Sequence, residues 1–284
     1  MVESDIKNWS ADEQAEFEKA AQEGIIPPQR LWAMVGAPTD FYAQGRGFFD
    51  ILVNHGRISA HSAVLDVGCG LGKTAIHFAT YLQSPGFYEG FDIERPSVEW
   101  CIKAISSRFP LIRFKHIDLY SEMYNRAAGK DASKFIFPYA SSTFDMVFLA
   151  SVFTHMFDAQ VDNYLREISR VLKPGGTCLS TYYLLNDEKR AGIRANTSMY
   201  TFSHKHNGSY IERLNPPEGA VAHEESRIYD LQSAAGFKLI AEPRYGHWAS
   251  RKVQDQDFLL TQKVSNNLSG DAITETVVLP GDRR

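Results

Sequence analysis

The stretch Ala63-Val64-Leu65-Asp66-Val67-Gly68-Cys69-Gly70-Leu71-Gly72-Lys73 leaves this chain few choices of fold. Val64, Leu65 and Val67 are apolar and mostly β-branched, which suits a buried strand. Three glycines spaced GxGxG then let the backbone turn tightly and let a ligand approach where a Cβ would collide. A helix over 74–82 follows. A strand, a glycine turn and a helix in that order outline a cofactor loop at the start of an α/β sheet.

The spacing separates the cofactors such a loop serves. A dinucleotide fingerprint, GxGxxG, needs its third glycine at position 73, which holds Lys73. The phosphate loop GxxxxGK is one residue longer than Gly68 to Lys73. Asp66, inside the strand just before the turn, would repel a pyrophosphate and suits a ligand with a cationic amino group.

The chain beyond alternates strand and helix, as a parallel sheet with helices on both faces requires. The reading is a Rossmann-like, doubly wound, mostly parallel seven-stranded sheet. Its expected strands cover 64–67, 87–91, 112–116, 144–150, 177–182, 237–241 and 258–262. Helices are expected over 97–108, 158–172 and 226–235. Residues 1–60 form a helical N-terminal cap, with a capping box at Ser10-Ala11-Asp12-Glu13 opening a helix to Gln22 and a second helix over 42–55. The domain runs over 61–263. Within it, 184–225 reads as an irregular insertion or lid, and 264–284 as a tail.

Composition narrows the partners. The 284 residues carry a net charge of −4 with no basic run, which argues against a nucleic-acid backbone. Three cysteines without a CxxC pair support neither a zinc site nor a disulfide framework. The acidic first twenty residues are unlike a signal peptide, and no apolar run is long enough for a membrane span. These features suggest a cytoplasmic location and leave a homo-oligomer open.

Acidic residues at strand ends complete the pattern, because ligands of open α/β sheets lie across the carboxyl ends of the strands. Asp66 ends the first strand, Asp92 follows the second and Asp118 the third. Asp92 is placed for the two hydroxyls of a ribose, and Asp118 with the backbone of Leu119 for an adenine edge. The chain at this point resembles the class I S-adenosylmethionine-dependent methyltransferases. Four motifs carry the likeness in order: Val64 to Gly72, Asp92, Phe137-Pro138 with Phe144-Asp145-Met146-Val147, and Glu167 to Gly176. A narrower likeness to a bacterial small-molecule or glycan methyltransferase subgroup rests on Ser151 to Met156, Gly246-His247-Trp248 and Gln256-Asp257.

The resemblance implies that Asp66 and the backbone of Gly68, Cys69, Gly70, Leu71 and Gly72 hold the methionine part of the cofactor. Asp92, with Ile93 beside it, would hold the ribose, Asp118 and Leu119 the adenine, and Ala150 or Ser151 would pass beside the sulfonium. It also implies an antiparallel final strand. Arg46 is a candidate for the cofactor carboxylate. His155, at the mouth of the fourth strand, is the candidate general base, and Tyr182, Tyr183, His247 and Trp248 are candidates for an acceptor pocket. His204, His206 and His223 suggest no metal set. The expected activity is O-methylation of a small molecule or sugar. N- or C-methylation, or a non-catalytic cofactor-binding module, are the alternatives.

Overall fold

The computed structural model describes residue 22, residues 24–27, residue 31 and residues 41–251, 253 and 255–264. Apart from Gln22, the expected capping-box helix lies outside the described residues, and so does the expected tail beyond residue 264. The chain divides into two compact units, one ending at Ile117 and one holding His55–Arg57 and everything from Asp118 onward.

The first unit opens with α1 (Phe41–His55), whose buried Phe41, Gly45, Phe49 and Leu52 recur at helical spacing. Three parallel strands follow in the order β1 (Ala63–Val67), β2 (Phe87–Asp92), β3 (Ile112–His116). Every residue of β1 is buried, which accounts for its unbroken apolar character apart from Asp66. Between the strands lie α2 (Ala75–Tyr81) and α3 (Arg95–Cys101). Aromatic rings fill the interior, with Phe49 edge-on to Phe78 at 5.0 Å and Tyr88 edge-on to Phe114 at 5.7 Å. A Cβ at Gly45 would collide with the Lys73 carbonyl oxygen, so glycine is what lets α1 approach the end of the glycine turn. The helix expected over 97–108 differs from the one observed. It starts earlier, because the Glu94 side chain caps the Ser97 amide at 2.8 Å, and it widens into a π turn over Ile102–Ser106.

The second unit contains β4 (Phe144–Leu149), α4 (Asp158–Val171) and β5 (Leu172–Tyr182). β4 and β5 are parallel. The motif residues around them act as fasteners. Glu167 accepts the Phe137 amide at 2.7 Å, Arg170 donates to the Tyr139 and Phe137 carbonyls at 2.8 and 2.9 Å, and Lys173 bonds both Asp145 oxygens at 2.8 and 2.9 Å. Lys173 to Gly176, which precede the strand expected over 177–182, belong to β5, and the register shifts between Phe144 and Met146.

The segment expected to be irregular is built. After β6 (Leu184–Leu185) come α5 (Asp187–Arg194), β7 (His204–His206), β8 (Ser209–Ile211) and β9 (Val221–Glu224). The strands make a small four-stranded sheet in the order β6-β9-β8-β7. Then α6 (Glu225–Ala234) stops at Gly236, whose φ of +83° ends a helix without strain. β10 (Phe237–Leu239) and β11 (Asp257–Lys263) form an antiparallel pair, and β11 also runs antiparallel to β5. With three strands in the first unit and β4, β5, β10 and β11 in the second, the described residues reach the expected number of seven, and the final strand, β11, is the antiparallel member, as the resemblance implies.

Candidate functional site

In the first unit the glycine turn is positioned by its own backbone. Gly68, Gly70 and Gly72 have φ of +77°, +50° and +74°, a region that other residues enter at a cost. The Gly68 and Cys69 amides both donate to the Phe91 carbonyl, at 2.8 and 3.1 Å, folding the turn over the end of β2. Asp92 receives the Gly70 amide on one oxygen at 2.7 Å and the Glu94 amide on the other at 2.9 Å. Each carboxylate oxygen has a second lone pair, so the aspartate is oriented rather than consumed. Burial pushes its pKa up, and the amides of Glu94, Gly70 and Ile93 oppose that shift. The Ile93 carbonyl accepts from His116 Nε2 at 3.2 Å.

Asp66 is buried and its carboxylate accepts the Tyr88 hydroxyl at 2.5 Å. Burial pushes it up to about 7, with Asp92 adding to the rise. Lys73, whose charge lowers the Asp66 pKa, is itself pulled down by burial and held up by Asp66. Arg46 bonds Asp50 at 3.0 Å and lies 6.0 Å from the Phe49 ring. Cys69 and Cys101 are buried, and burial pushes both thiols up, so they are inert packing groups here.

In the second unit, Asp118 is exposed and accepts from Asn125 Nδ2 at 3.2 Å, while Leu119 is buried. Ser151, two residues past β4, has a φ of +62°. Such a conformation costs on the order of 1–3 kcal/mol for a non-glycine residue and persists only where neighbours enforce it. Its amide donates to Thr181 Oγ1 at 2.8 Å, and its hydroxyl receives Gln256 Nε2 at 2.9 Å.

A short 3-10 turn, Phe153–His155, then presents His155. Its Nδ1 is 2.7 Å from the Glu218 carbonyl oxygen. A carbonyl only accepts, so Nδ1 carries the proton and Nε2 is the basic nitrogen of the neutral ring. Burial pulls the pKa of His155 below the ordinary histidine value, with the Glu218 carbonyl and charge opposing and Arg213 assisting. Tyr124 packs edge-on to the ring at 5.6 Å, its hydroxyl 3.5 Å from Nε2.

The acceptor candidates separate. Tyr182 is fully buried, stacked on Phe153 at 5.1 Å with its hydroxyl bonded by Ser180 and Gln232. Tyr183 and Trp248 belong to an apolar cluster with Phe202, and the Trp248 indole donates to Asp257 at 3.0 Å. All three side chains are buried within the packing of the second unit. His247 is half-buried and its Nδ1 donates to Asp255 at 2.8 Å.

The three further histidines also part company. His204 and His206 lie on β7, while His223 is fully buried and bonds Asp158 at 2.9 Å. No metal-ligand cluster occurs among the described residues. Sequence reasoning missed Glu218, Ser121 and Tyr124, for which the chain carries no spacing signal.

The fold and the first unit's turn define the class: an α/β protein of the S-adenosylmethionine-dependent methyltransferase type. A family model described as "Methyltransferase domain" matches residues 58–236, and the chain belongs to that family. Methyltransferase GfsG of Streptomyces halstedii is 30% identical over 119 residues, which is 42% of this chain and 37% of that protein. The chain therefore aligns with little more than a third of that relative. A methyltransferase from Methanosarcina mazei, described as S-adenosylmethionine-dependent, superposes with a TM-score of 0.53 at 20% identity, covering 75% of this chain and 98% of that one. Magnesium protoporphyrin IX methyltransferase of Synechocystis, solved with bound S-adenosylhomocysteine, gives 0.51 at 13% identity over 78% and 83% of the two chains. The family match makes this a methyltransferase domain, and the two solved structures share its fold. No helix among the described residues is long and apolar enough to cross a membrane.

Proposed function

We propose that the chain transfers a methyl group from S-adenosylmethionine to a hydroxyl of a small molecule or sugar. S-adenosylmethionine, when bound, supplies a methyl group already activated by its sulfonium. Asp66 and the backbone of Gly68 to Gly72 would hold its amino-acid end, and Asp92 its ribose. Asp118, Leu119, Ala150 and Ser151 are given to the adenine and sulfonium by the family resemblance alone, and Arg46 remains a candidate for the carboxylate.

An acceptor hydroxyl must lose its proton as the new bond forms, and a positioned base contributes about 10²–10⁴-fold to such a step. The observation that carries the oxygen assignment is His155, whose Nδ1–H is spent on the Glu218 carbonyl and whose Nε2, with the Tyr124 hydroxyl 3.5 Å away, is the basic nitrogen. The chain's other task is to align the acceptor and exclude water. Tyr182, Tyr183, His247 and Trp248 remain candidates for the acceptor, and half-buried His247 is the most exposed of them.

The test is a calorimetric titration with S-adenosylhomocysteine, followed by a screen of hydroxyl-bearing acceptors with methyl-labelled cofactor. The Asp92→Ala variant is expected to bind at least tenfold more weakly, since a hydrogen bond to a charged group contributes about 1.5–3 kcal/mol. Unchanged affinity would remove Asp92 from the ribose. Label appearing on nitrogen or carbon would overturn the hydroxyl assignment.

A further inference from the structure

The contacts of one residue in the 184–225 segment point to a specific task for that segment. Glu218 sits in a short 3-10 turn between β8 and β9 and is buried. Its main-chain carbonyl fixes the His155 ring through Nδ1 at 2.7 Å. Its side-chain carboxylate accepts the Ser121 hydroxyl and, at 3.4 Å, the Met123 amide. Ser121 and Asn125 close a tight turn by exchanging backbone hydrogen bonds of 3.0 and 3.2 Å. Inside that turn Ser121 Oγ also accepts the Tyr124 amide at 3.2 Å. Tyr124 in turn stands edge-on to His155, with its hydroxyl toward Nε2.

We infer that Glu218 is a positioning residue for His155: its carbonyl selects the Nδ1–H tautomer, and its carboxylate holds the Ser121–Asn125 turn so that Tyr124 flanks Nε2. One residue of the inserted segment thereby controls both sides of the imidazole. The chemical reason for two anchors on one residue is rigidity. A carbonyl on a turn held only by its backbone would drift, whereas the buried carboxylate locks that turn against a second one. Imidazole left to itself samples both tautomers, and a base with its proton on Nε2 has no lone pair to offer there. The role of this base in methyl transfer rests on the function proposed above. The positioning relationship does not need it.

The experiment is nitrogen-15 NMR of the histidine-labelled full chain without any acceptor, with His155 assigned by comparison with His155→Gln. Wild type is expected to show His155 protonated on Nδ1 and bare on Nε2. Glu218→Ala should shift both resonances toward the averaged values of mixed tautomers. Glu218→Gln, which keeps one acceptor oxygen at the same reach, should restore most of the wild-type pattern. Ser121→Ala provides the same test from the opposite side, without touching residue 218, should Glu218→Ala fail to fold. Titration with S-adenosylhomocysteine, expected to be unchanged in each variant, shows that the rest of the site is intact. A wild-type ring protonated on Nε2, or wild-type resonances in Glu218→Ala, would overturn the inference. Absence of methyl transfer to any acceptor would instead sink the proposed function and leave the tautomer result to stand or fall separately.

Discussion

Tyr88 on β2 donates its hydroxyl to Asp66 on β1 at 2.5 Å, and both side chains are buried between parallel strands. Burial holds Asp66 near 7, above the 3.8 of an exposed aspartate. The folded chain therefore keeps a proton on this group that the unfolded chain has lost between about pH 4 and 7. Its contribution to stability is full below the unfolded value and is lost as pH rises through 7. Asp66→Asn removes the ionisation, and every tenfold change in proton affinity between the folded and unfolded chain corresponds to about 1.4 kcal/mol. The stability of the variant relative to wild type should be greater at pH 8 than at pH 5 by ~2 kcal/mol or more. Urea denaturation at the two pH values measures this, and an equal difference at both would refute it.

The same acid predicts how cofactor binding depends on pH. An ammonium group beside Asp66 favours the carboxylate, so binding lowers its pKa and releases a proton. Affinity for S-adenosylhomocysteine should rise from pH 6 to 8, and Asp66→Asn should flatten that rise while weakening binding about tenfold or more, the scale of one charged hydrogen bond. Calorimetry in buffers of different ionisation enthalpy reads the proton directly. A pH-independent affinity in wild type would place the amino group elsewhere.

Lys189 and Asp257 form a buried ion pair at 3.4 Å in the second unit. Lys189 also donates to the Gly246 carbonyl and lies 5.4 Å from the Trp248 ring, while Asp257 accepts the Leu184 and Gly246 amides at 2.7 and 2.8 Å. Removing one partner of a buried pair costs about 3–5 kcal/mol, because the other charge stays buried without it. Lys189→Met should fall in that range. Asp257→Asn should be comparable, since its NH₂ must face one of three N–H donors. The double variant should cost less than the sum of the singles, as expected for groups in contact. Chemical denaturation of the three variants checks this, and strict additivity would show that the pair is uncoupled.

What could be read from the sequence follows from how each element signals itself. β1 and β4 are nearly unbroken apolar runs, and α4 buries Val161, Tyr164, Leu165, Ile168 and Val171 at helical spacing, so their bounds were legible to within a residue or two. The glycine turn was legible because only glycine takes three positive φ angles so close together. The small sheet was not legible. Its strands have two to four residues each, too short for any periodicity, and its interior carries Ser209 and His223, which read as loop residues. Trp248 and Tyr182 read as candidates for the acceptor because aromatic residues at strand ends suit both a pocket and a core. Glu218 left no trace because its partners, Ser121 and His155, are far from it in sequence.

His155 yields the final prediction. Burial lowers its pKa, and of the charged groups that act on it Arg213 lowers it further while Glu218 raises it. The ring is then neutral at pH 7, with Nε2 available as a base, and its charging is displaced below the ordinary histidine range near 6.5. If His155 accepts the acceptor's proton, the acid limb of kcat against pH should lie below 6.5, and His155→Ala should lose about 10²–10⁴-fold in kcat, the usual contribution of a general base. Affinity for S-adenosylhomocysteine should stay at the wild-type value in that variant. Arg213→Ala should move the acid limb toward higher pH, because removing a nearby cation makes the imidazolium easier to form. A pH profile unchanged in Arg213→Ala would mean that some other group sets the acid limb. Full activity in His155→Ala would take the histidine out of the reaction.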